Sequence, residues 1–440
     1  MKQTARGAAL AVLERCRRDG AWSSDALDST LKRDELEGRD AALAARLVLS
    51  VLQNSAYCDY YIERCGGKSP ARLQPKLLDI LRLGTAQLLL LDRIPPRAAV
   101  NETVSLCREA GLARASGLVN AVLRRVSESR DALPPIPGEG TADYLSIRTS
   151  HPKPLVERLL REHDYAFVER FLRANNSPAG LTVQVNTQLV TPEDYARSLQ
   201  RAGIPFTAFP ELPGCLRLEG GAVSALPGFE EGLFYVQDRA ARSAVAVSGV
   251  KPGMHVLDCC AAPGGKSFAA ALAMGDSGSI LACDIHEKKL RRIENGAERL
   301  GLSCIRTRAM DARKPESAPE GAFNLVLADV PCSGLGVIGK RPEIRYKSGE
   351  EIDRLPAIQR EILRSVSRCV RPGGVLLYST CTVLDAENGE QIDAFLRENP
   401  DFCAEDFSLG PIRSTGGRYT FWPHIDGTDG FFAAKLRRKE

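Results

Sequence analysis

Residues 1–130 repeat apolar positions at helical spacing. "ARGAALAVLERCRRDG" brings small and aliphatic residues round every three to four positions and stops at Gly20. "AALAARLVLSVLQNSAYCDYYIERC" and "KLLDILRLGTAQLLLLD" behave the same way, and "NETVSLCREAG" and "SGLVNAVLRRVSES" follow "RIPPRAAV". A period near 3.6 marks amphipathic helices, and a glycine past the last periodic residue is a stop signal. The stretch is expected to be an all-α bundle. "DALPPIPGEGTAD" (131–143) loses the period and gathers Pro and Gly, which makes it a linker.

The pattern then turns mixed. "HPKPLVERLLREHDYAFVERFLRANN" reads as helix and "LTVQVNT" alternates as a strand does. "TPEDYARSLQRAGI" has a Thr-x-x-Asp start with Pro192 at the first helical position. From about residue 239 short apolar runs alternate with helical ones. The strand candidates are "MHVLDCC", "SILACDI", "CIRTRAM", "FNLVLADV", "GVLLYSTCT" and "GFFAAKLRR". That rhythm predicts a mostly parallel sheet with helices on both faces. The expected organisation is a helical domain (1–130), a linker (131–144), a small α+β region (145–238) and a Rossmann-type α/β domain (239–440).

Composition narrows the class. Charged residues make up 26% of the 440 and hydrophobic ones 44%, as in a soluble globular protein. No apolar run is long enough to span a bilayer, and the N-terminus lacks the apolar core of a signal peptide, so a cytoplasmic location is expected. Thirteen cysteines are scattered without a CxxC pair, and five histidines spread from His151 to His424. Metal-ligand spacing is absent, so no metal is expected, and a reducing compartment fits better than a disulfide framework. The net charge of +4 is uneven, since residues 1–130 carry 21 Lys+Arg against 15 Asp+Glu. A mildly basic helical domain is compatible with nucleic acid, and equally with an ordinary solvated surface.

"VLDCCAAPGGKS" (256–267) is a strand, a Gly-rich turn and a helix start. Glycines there let the backbone approach a ligand, and the helix N-terminus can hold an anion. The loop matches neither G-x-x-x-x-G-K-[ST] nor G-x-G-x-x-G, which argues against a nucleoside triphosphate or a dinucleotide. Asp284, Asp311 and Asp329 close the second, third and fourth strands. An acidic residue at the end of the second strand suits ribose hydroxyls, and Asp311 stands where an adenine edge could be read. Each Asp alone could be a helix cap. Together they favour an adenosine cofactor without pyrophosphate, S-adenosylmethionine.

Beyond Asp329 comes Pro331-Cys332-Ser333-Gly334, and the fifth strand ends in Ser379-Thr380-Cys381. Amine methyltransferases carry Asn/Asp-Pro-Pro-aromatic in the first of these places, and Asp-Val-Pro-Cys here argues against an exocyclic nitrogen as target. Cytosine C5 is barely nucleophilic until a thiolate adds to C6, and a second group must then remove the C5 proton. Two cysteines and a carboxylate suit that sequence, with Asp329 on the cytosine edge. The basic run Lys340, Arg341, Arg345, Lys347, or nearby helix N-termini, could lower the pKa of one thiol. The residues alone do not say which thiol attacks, and a lone cysteine is more commonly an inert core residue.

"LDCCAAPGGKS", "DVPCSGLGVIGKRPEIRY", "RPGGVLLYSTCTV" and "WPHIDGTDGFFAAKL" resemble the motifs of RNA cytosine-5 methyltransferases. "LRLGTAQLLLLDRIPPRAAVNETV" with "GLVNAVLRRV" resembles a NusB-like domain. The combination is similar to the bacterial RsmB (Sun/Fmu) family, which methylates small-subunit ribosomal RNA. The resemblance is densest in 250–440. It implies Cys381 as nucleophile and Cys332 as the group that releases the adduct. It also implies a cofactor loop of Cys260, Ala261, Ala262, Pro263, Gly264, Gly265 and Lys266, with Asp284, Asp311 and Asp329. Cys259 has no implied role and is expected to pack in the strand. The expected partner is small-subunit ribosomal RNA, with neither DNA nor membrane, and the expected active unit is a monomer. Rival readings are the same chemistry on transfer RNA, an assembly factor that binds RNA without catalysis, and a DNA cytosine methyltransferase.

Overall fold

The computed structural model describes residues 4–177, 180–219, 223–315 and 318–440. They fall into two compact units. Unit 1 holds residues 1–177 together with 338–347, and unit 2 holds 178–337 and 348–440.

Unit 1 is helical. Its helices are α1 (Ala5–Asp19), α2 (Ser23–Arg33), α3 (Gly38–Gln53), α4 (Ser55–Arg64), α5 (Pro75–Leu90), α6 (Pro96–Glu109) and α7 (Ser116–Ser129). After the Pro/Gly stretch come α8 (Ala142–Thr149), α9 (Lys153–Glu162) and α10 (Tyr165–Ala174). Thr4 caps α1 through the N–H of Gly7, and Gly20 ends it in the left-handed region, as the sequence signals suggest. The apolar stripes meet in one core that includes Leu13, Leu47, Ile62, Ile80, Leu83 and Leu123.

Residues 338–347 plug into this unit through charges at helix ends. The Glu343 carboxylate accepts from the N–H and hydroxyl of Ser23 at the start of α2. Arg345 is 1% exposed, and its guanidinium donates to the carbonyls of Gln53 and Ser150 at the C-terminal ends of α3 and α8. It also reaches Asn176 Oδ1. An anion at a helix start and a cation at helix ends both complement the macrodipole. Arg345 thus has helix carbonyls where a buried arginine would commonly have a carboxylate, and burial lowers its pKa to about 10.

Unit 2 begins with a small antiparallel sheet. Its strands are β1 (Leu181–Val185), β2 (Phe206–Ala208), β3 (Cys215–Leu218) and β4 (Phe234–Val236), in the order β2-β3-β1-β4. The helix α11 (Pro192–Arg201) packs Tyr195 and Leu199 onto it. Thr191 caps that helix through the N–H of Asp194, with Pro192 in its first turn.

The larger sheet follows. β5 (His255–Asp258), β6 (Ser279–Asp284), β7 (Ile305–Ala309), β8 (Phe323–Asp329) and β9 (Val370–Thr380) are parallel and stand in the order β9-β8-β5-β6-β7. β10 (Phe402–Ala404), β13 (Arg418–Phe421) and β14 (Phe431–Arg438) extend it antiparallel beyond β9, and β11 (Ser408–Leu409) pairs separately with β12 (Ile412–Arg413). The covering helices are α12 (Arg239–Val247), α13 (Gly265–Ala273), α14 (Glu287–Leu300), α16 (Leu355–Val366) and α17 (Gly389–Glu398), with short α15 (Gly349–Asp353) and α18 (Pro423–Asp426). Successive strand residues point to opposite faces. Val256, Leu325, Leu327, Val375 and Leu377 enter one core, while Leu257, Val326, Ala328, Leu376 and Tyr378 enter the other. A sheet buried on both faces needs continuous apolar strands, which is why "NLVLA" and "VLLY" show no alternation. No helix among the described residues is long and apolar enough to cross a membrane.

Candidate active site

The strand order locates the crevice. From β5 the chain builds β6 and β7 on one side, then crosses to β8 and β9 on the other. Loops leaving the carboxyl ends of strands at such a reversal diverge and open a ligand site. Here that site lies past Asp258, beside the end of β8.

Residues 260–264 form the turn out of β5, and Gly265 and Lys266 start α13. Gly264 has φ +114°, and a Cβ there would come within 2.5 Å of the Phe268 ring, so only glycine fits. No side chain caps α13. Asp258 is fully buried, and its Oδ2 accepts from the Ser267 hydroxyl at 2.7 Å. Its Oδ1 has no partner among the described residues. Burial pushes this carboxyl up to about 7, against the Ser267 bond and Lys266. An open acceptor and an uncapped helix start at a close-approach turn fit the ammonium and carboxylate of S-adenosylmethionine.

The three strand-end aspartates differ. Asp284 closes β6, is 8% exposed and accepts the His286 N–H at 2.9 Å. Asp311 lies two residues past β7, and both its oxygens take bonds from Arg313. That pair, chiefly its hydrogen bond, holds the Asp311 carboxyl below the usual carboxylate range. Asp329 closes β8 with each oxygen engaged. Oδ1 accepts from the Ser379 hydroxyl at 2.8 Å and Oδ2 from Lys266 Nζ at 2.6 Å. It thus ties the cofactor turn to β9.

Cys332 follows β8 by three residues and Cys381 follows β9 directly. The two strands are parallel neighbours with Asp329 opposite Ser379, so both thiols emerge at one end. Their sulfurs stand 3.1 Å apart, well beyond the roughly 2.05 Å of a disulfide bond. The Cys381 N–H also donates to the Cys332 sulfur at 3.3 Å. Ser333 and Thr382 share a 2.6 Å hydroxyl contact, and the Gly336 N–H donates to the Cys381 carbonyl at 3.0 Å. A Cβ on Gly336 would fall 1.9 Å from the Gly430 carbonyl oxygen, so the loop after Cys332 closes only with glycine there.

The two thiols are not equivalent. Cys381 is lowered from the ordinary thiol value, first by the hydrogen bond with Cys332 and then by Lys266, against burial, Asp329 and Asp429. Cys332 is raised well above it by the same bond, by burial, and by the charges on Cys381, Glu387 and Asp329. The two shifts run in opposite directions across one contact, in which either sulfur can be the donor. Burial opposes the Lys266 ammonium, but the Asp329 ion pair outweighs it and raises its pKa.

The structure therefore brings together Cys332, Cys381, Asp329 and the turn from Cys260 to Lys266. Two members of the basic run have partners inside unit 1. Arg345 lies within unit 1 on helix carbonyls, and Arg341 stacks on Trp22 at 4.9 Å. The cation that acts on Cys381 is Lys266, which the sequence offered only as part of the cofactor loop. Sequence reading also missed Asp258 as an open acceptor, although its place at the end of the first strand was a usable signal. Cys259 is 1% exposed in a core with Cys283 and Val326. Among the described residues there is no cluster suited to a metal ion.

Comparison with known proteins identifies the parts of the chain. Residues 247–437 match the 16S rRNA methyltransferase RsmB/F family, residues 3–128 the NusB family, and residues 151–224 the ferredoxin-like domain of RsmF/B-like methyltransferases. The chain is 34% identical to a probable ribosomal RNA small subunit methyltransferase B of Bacillus subtilis over 450 residues, covering 100% of both. It is 34% identical to the ribosomal RNA small subunit methyltransferase B of Salmonella arizonae over 92% of both chains. A solved methyltransferase homolog from Pyrococcus horikoshii superposes with a TM-score of 0.59 at 26% identity, over 67% of this chain and 97% of its own. With a full-length relative at that identity, the chain belongs to the ribosomal RNA small subunit methyltransferase B family of S-adenosylmethionine-dependent enzymes.

Proposed function

We propose that this enzyme methylates carbon 5 of a cytosine in small-subunit ribosomal RNA, through a thioether between Cys381 and cytosine C6. The observation that carries this reading is the unequal thiol pair at 3.1 Å, beside the Lys266–Asp329 ion pair and the cofactor turn. A methyl transfer to oxygen or nitrogen needs a base and no thiol. Two thiols sharing one proton suit a reaction that must form a carbon–sulfur bond and then break it.

The Cys381 thiolate adds to C6, and the electron pair of the C5–C6 double bond moves toward C5 and the ring. Asp329, held by Lys266 and Ser379, hydrogen-bonds the N3/N4 edge and stabilises the ring as charge develops. S-adenosylmethionine, when bound, would supply the methyl group on a sulfonium, the electrophile that an activated C5 requires. Cys332 gives its own proton to solvent, takes the C5 proton in its place, and the electron pair left at C5 expels the Cys381 thiolate from C6, which restores the starting thiol and thiolate. Residues 260–266, Asp258, Asp284 and Asp311 hold the cofactor. The helical unit, with its excess of basic residues, contacts the RNA. The reading takes RNA rather than DNA as substrate, a single chain as the active unit, and the cytoplasm as location.

Purified protein, S-adenosylmethionine and unmodified 16S rRNA test this, with 5-methylcytidine mapped by mass spectrometry. Wild type is expected to modify one cytosine and Cys381→Ala none, a loss of about 10⁴-fold or more. Modification of transfer RNA but not 16S rRNA would overturn the substrate, and methyl groups on nitrogen would overturn the chemistry. Binding without any methylation would favour the assembly-factor reading.

A further inference from the structure

A second carboxylate lies behind the thiols and takes no part in those steps. Glu387 is fully buried between β9 and α17. Its Oε2 accepts from the backbone N–H of Ser333 and from Gln359 Nε2, both at 2.8 Å. The same Gln359 Nε2 donates to the Pro331 carbonyl at 3.0 Å. Both neighbours of Cys332 are therefore tied to Glu387, one directly and one through Gln359. The Tyr378 hydroxyl donates to the Glu387 carbonyl at 2.6 Å, which fixes the turn itself.

This is more than packing requires. Glu387 Oε1 is buried without a partner among the described residues. Burying a carboxylate costs several kcal/mol unless it is fully hydrogen-bonded or paired. Glutamine would accept the same two donors on its amide oxygen with no charge to bury. Cys332 is the group whose two neighbours Glu387 holds, and the Glu387 charge is among the causes that raise its thiol.

Of the other charges around the pair, Lys266 works in the same sense and the remaining carboxylates do not. Asp329 weighs on both, Asp429 weighs on Cys381, and Lys266 favours a negative Cys381. The Tyr378 phenol is held neutral by burial and by Cys332, Glu387 and Asp329. Without Glu387, the contact with Cys332 and the charge of Lys266 would be left to hold negative charge on Cys381 against burial, Asp329 and Asp429.

Building on the cytosine-5 reading of the site, we propose that Glu387 is a positioning residue that assigns the two thiols their roles. Its buried negative charge disfavours a second one on Cys332, so the shared proton stays there and Cys381 is the thiolate. Glu387 forms and breaks no bond; it sets where one proton rests.

The test needs no RNA, so it fails or succeeds independently of the substrate. The full chain is alkylated with iodoacetamide over a pH series, and labelling at Cys332 and Cys381 is counted by peptide mass spectrometry. Wild type should label Cys381 first at neutral pH. Glu387→Gln keeps the shape and removes the charge, and should lower the Cys381:Cys332 ratio by roughly tenfold, the size of one pKa unit. Glu387→Asp keeps the charge with poorer packing, and should hold the ratio closer to wild type. An unchanged ratio in Glu387→Gln, or equal shifts in both variants, would overturn the assignment. Should Glu387→Gln fail to fold, equal labelling of the two thiols in wild type would overturn it as well.

Discussion

Among the described residues, two pairs of cysteines bring their sulfurs close together, and their settings differ. Cys259 and Cys260 sit side by side with sulfurs 3.9 Å apart. Cys332 and Cys381 are 49 positions apart and stand at 3.1 Å. In the first pair the thiol of Cys259 is raised well above its ordinary value, by the contact with Cys260 and by burial. In the second pair Cys381 is lowered despite burial. Proximity of two thiols therefore does not make a nucleophile. What differs is the setting, with the Cys332 sulfur at hydrogen-bond distance from Cys381, the Lys266 charge favouring the Cys381 thiolate, and Glu387 tied to both neighbours of Cys332.

Substitutions sharpen that contrast, and the largest effect after loss of Cys381 itself is expected at Lys266. Lys266→Met leaves Asp329 without its ion pair and Cys381 without its cation. Methylation should fall by about 10²–10³-fold, as when a single preorganised donor is removed from an active site. Steady-state assay on 16S rRNA checks this, and a loss of less than about tenfold would leave the charge argument without support.

Cys332→Ala acts on the pH scale. The hydrogen bond from Cys332 is the first cause of the lowered Cys381, so its loss should move the alkylation midpoint of Cys381 to higher pH. The sign follows from the charge. A lowered thiol is anionic at lower pH, so losing the cause delays ionisation. Reactivity at neutral pH should drop by roughly tenfold per unit of upward shift. A midpoint that stays put would mean that Lys266 alone activates Cys381.

The smallest effect belongs to the other pair. Cys259→Ala removes one buried sulfur from the core and should cost about 1 kcal/mol of stability by denaturant titration. Methylation should be unchanged, and a marked loss would place Cys259 in the chemistry.

Much of this frame is legible in the sequence. The helical period of residues 5–129 and the six apolar runs of the catalytic sheet announce their elements, because long periodic segments carry strong local signals. β2, β3 and β4 of the small sheet, three or four residues each, are too short to announce theirs. The motifs also announce the two cysteines and the cofactor turn. What stays hidden is long-range. Lys266 reads as the end of a Gly-rich loop, and its ion pair with Asp329 spans 63 positions. "DAENGE" reads as an acidic turn, and nothing local says that Glu387 is buried on the Ser333 N–H. Arg345 reads as part of a basic run that could act on a thiol, yet its partners lie up to 292 positions away. Charge in a sequence suggests solvent until tertiary packing supplies a partner.

The division of labour between the thiols is the central claim, and trapping the covalent adduct tests it most directly. Cys332→Ala would be incubated with S-adenosylmethionine and 16S rRNA, run on a denaturing gel, digested, and the cross-linked peptide sequenced by mass spectrometry. The account predicts a stable RNA–protein band whose nucleotide is attached through Cys381, and no such band with Cys381→Ala. A band that forms instead with Cys381→Ala and maps to Cys332 would contradict it, because the two cysteines would then hold each other's roles.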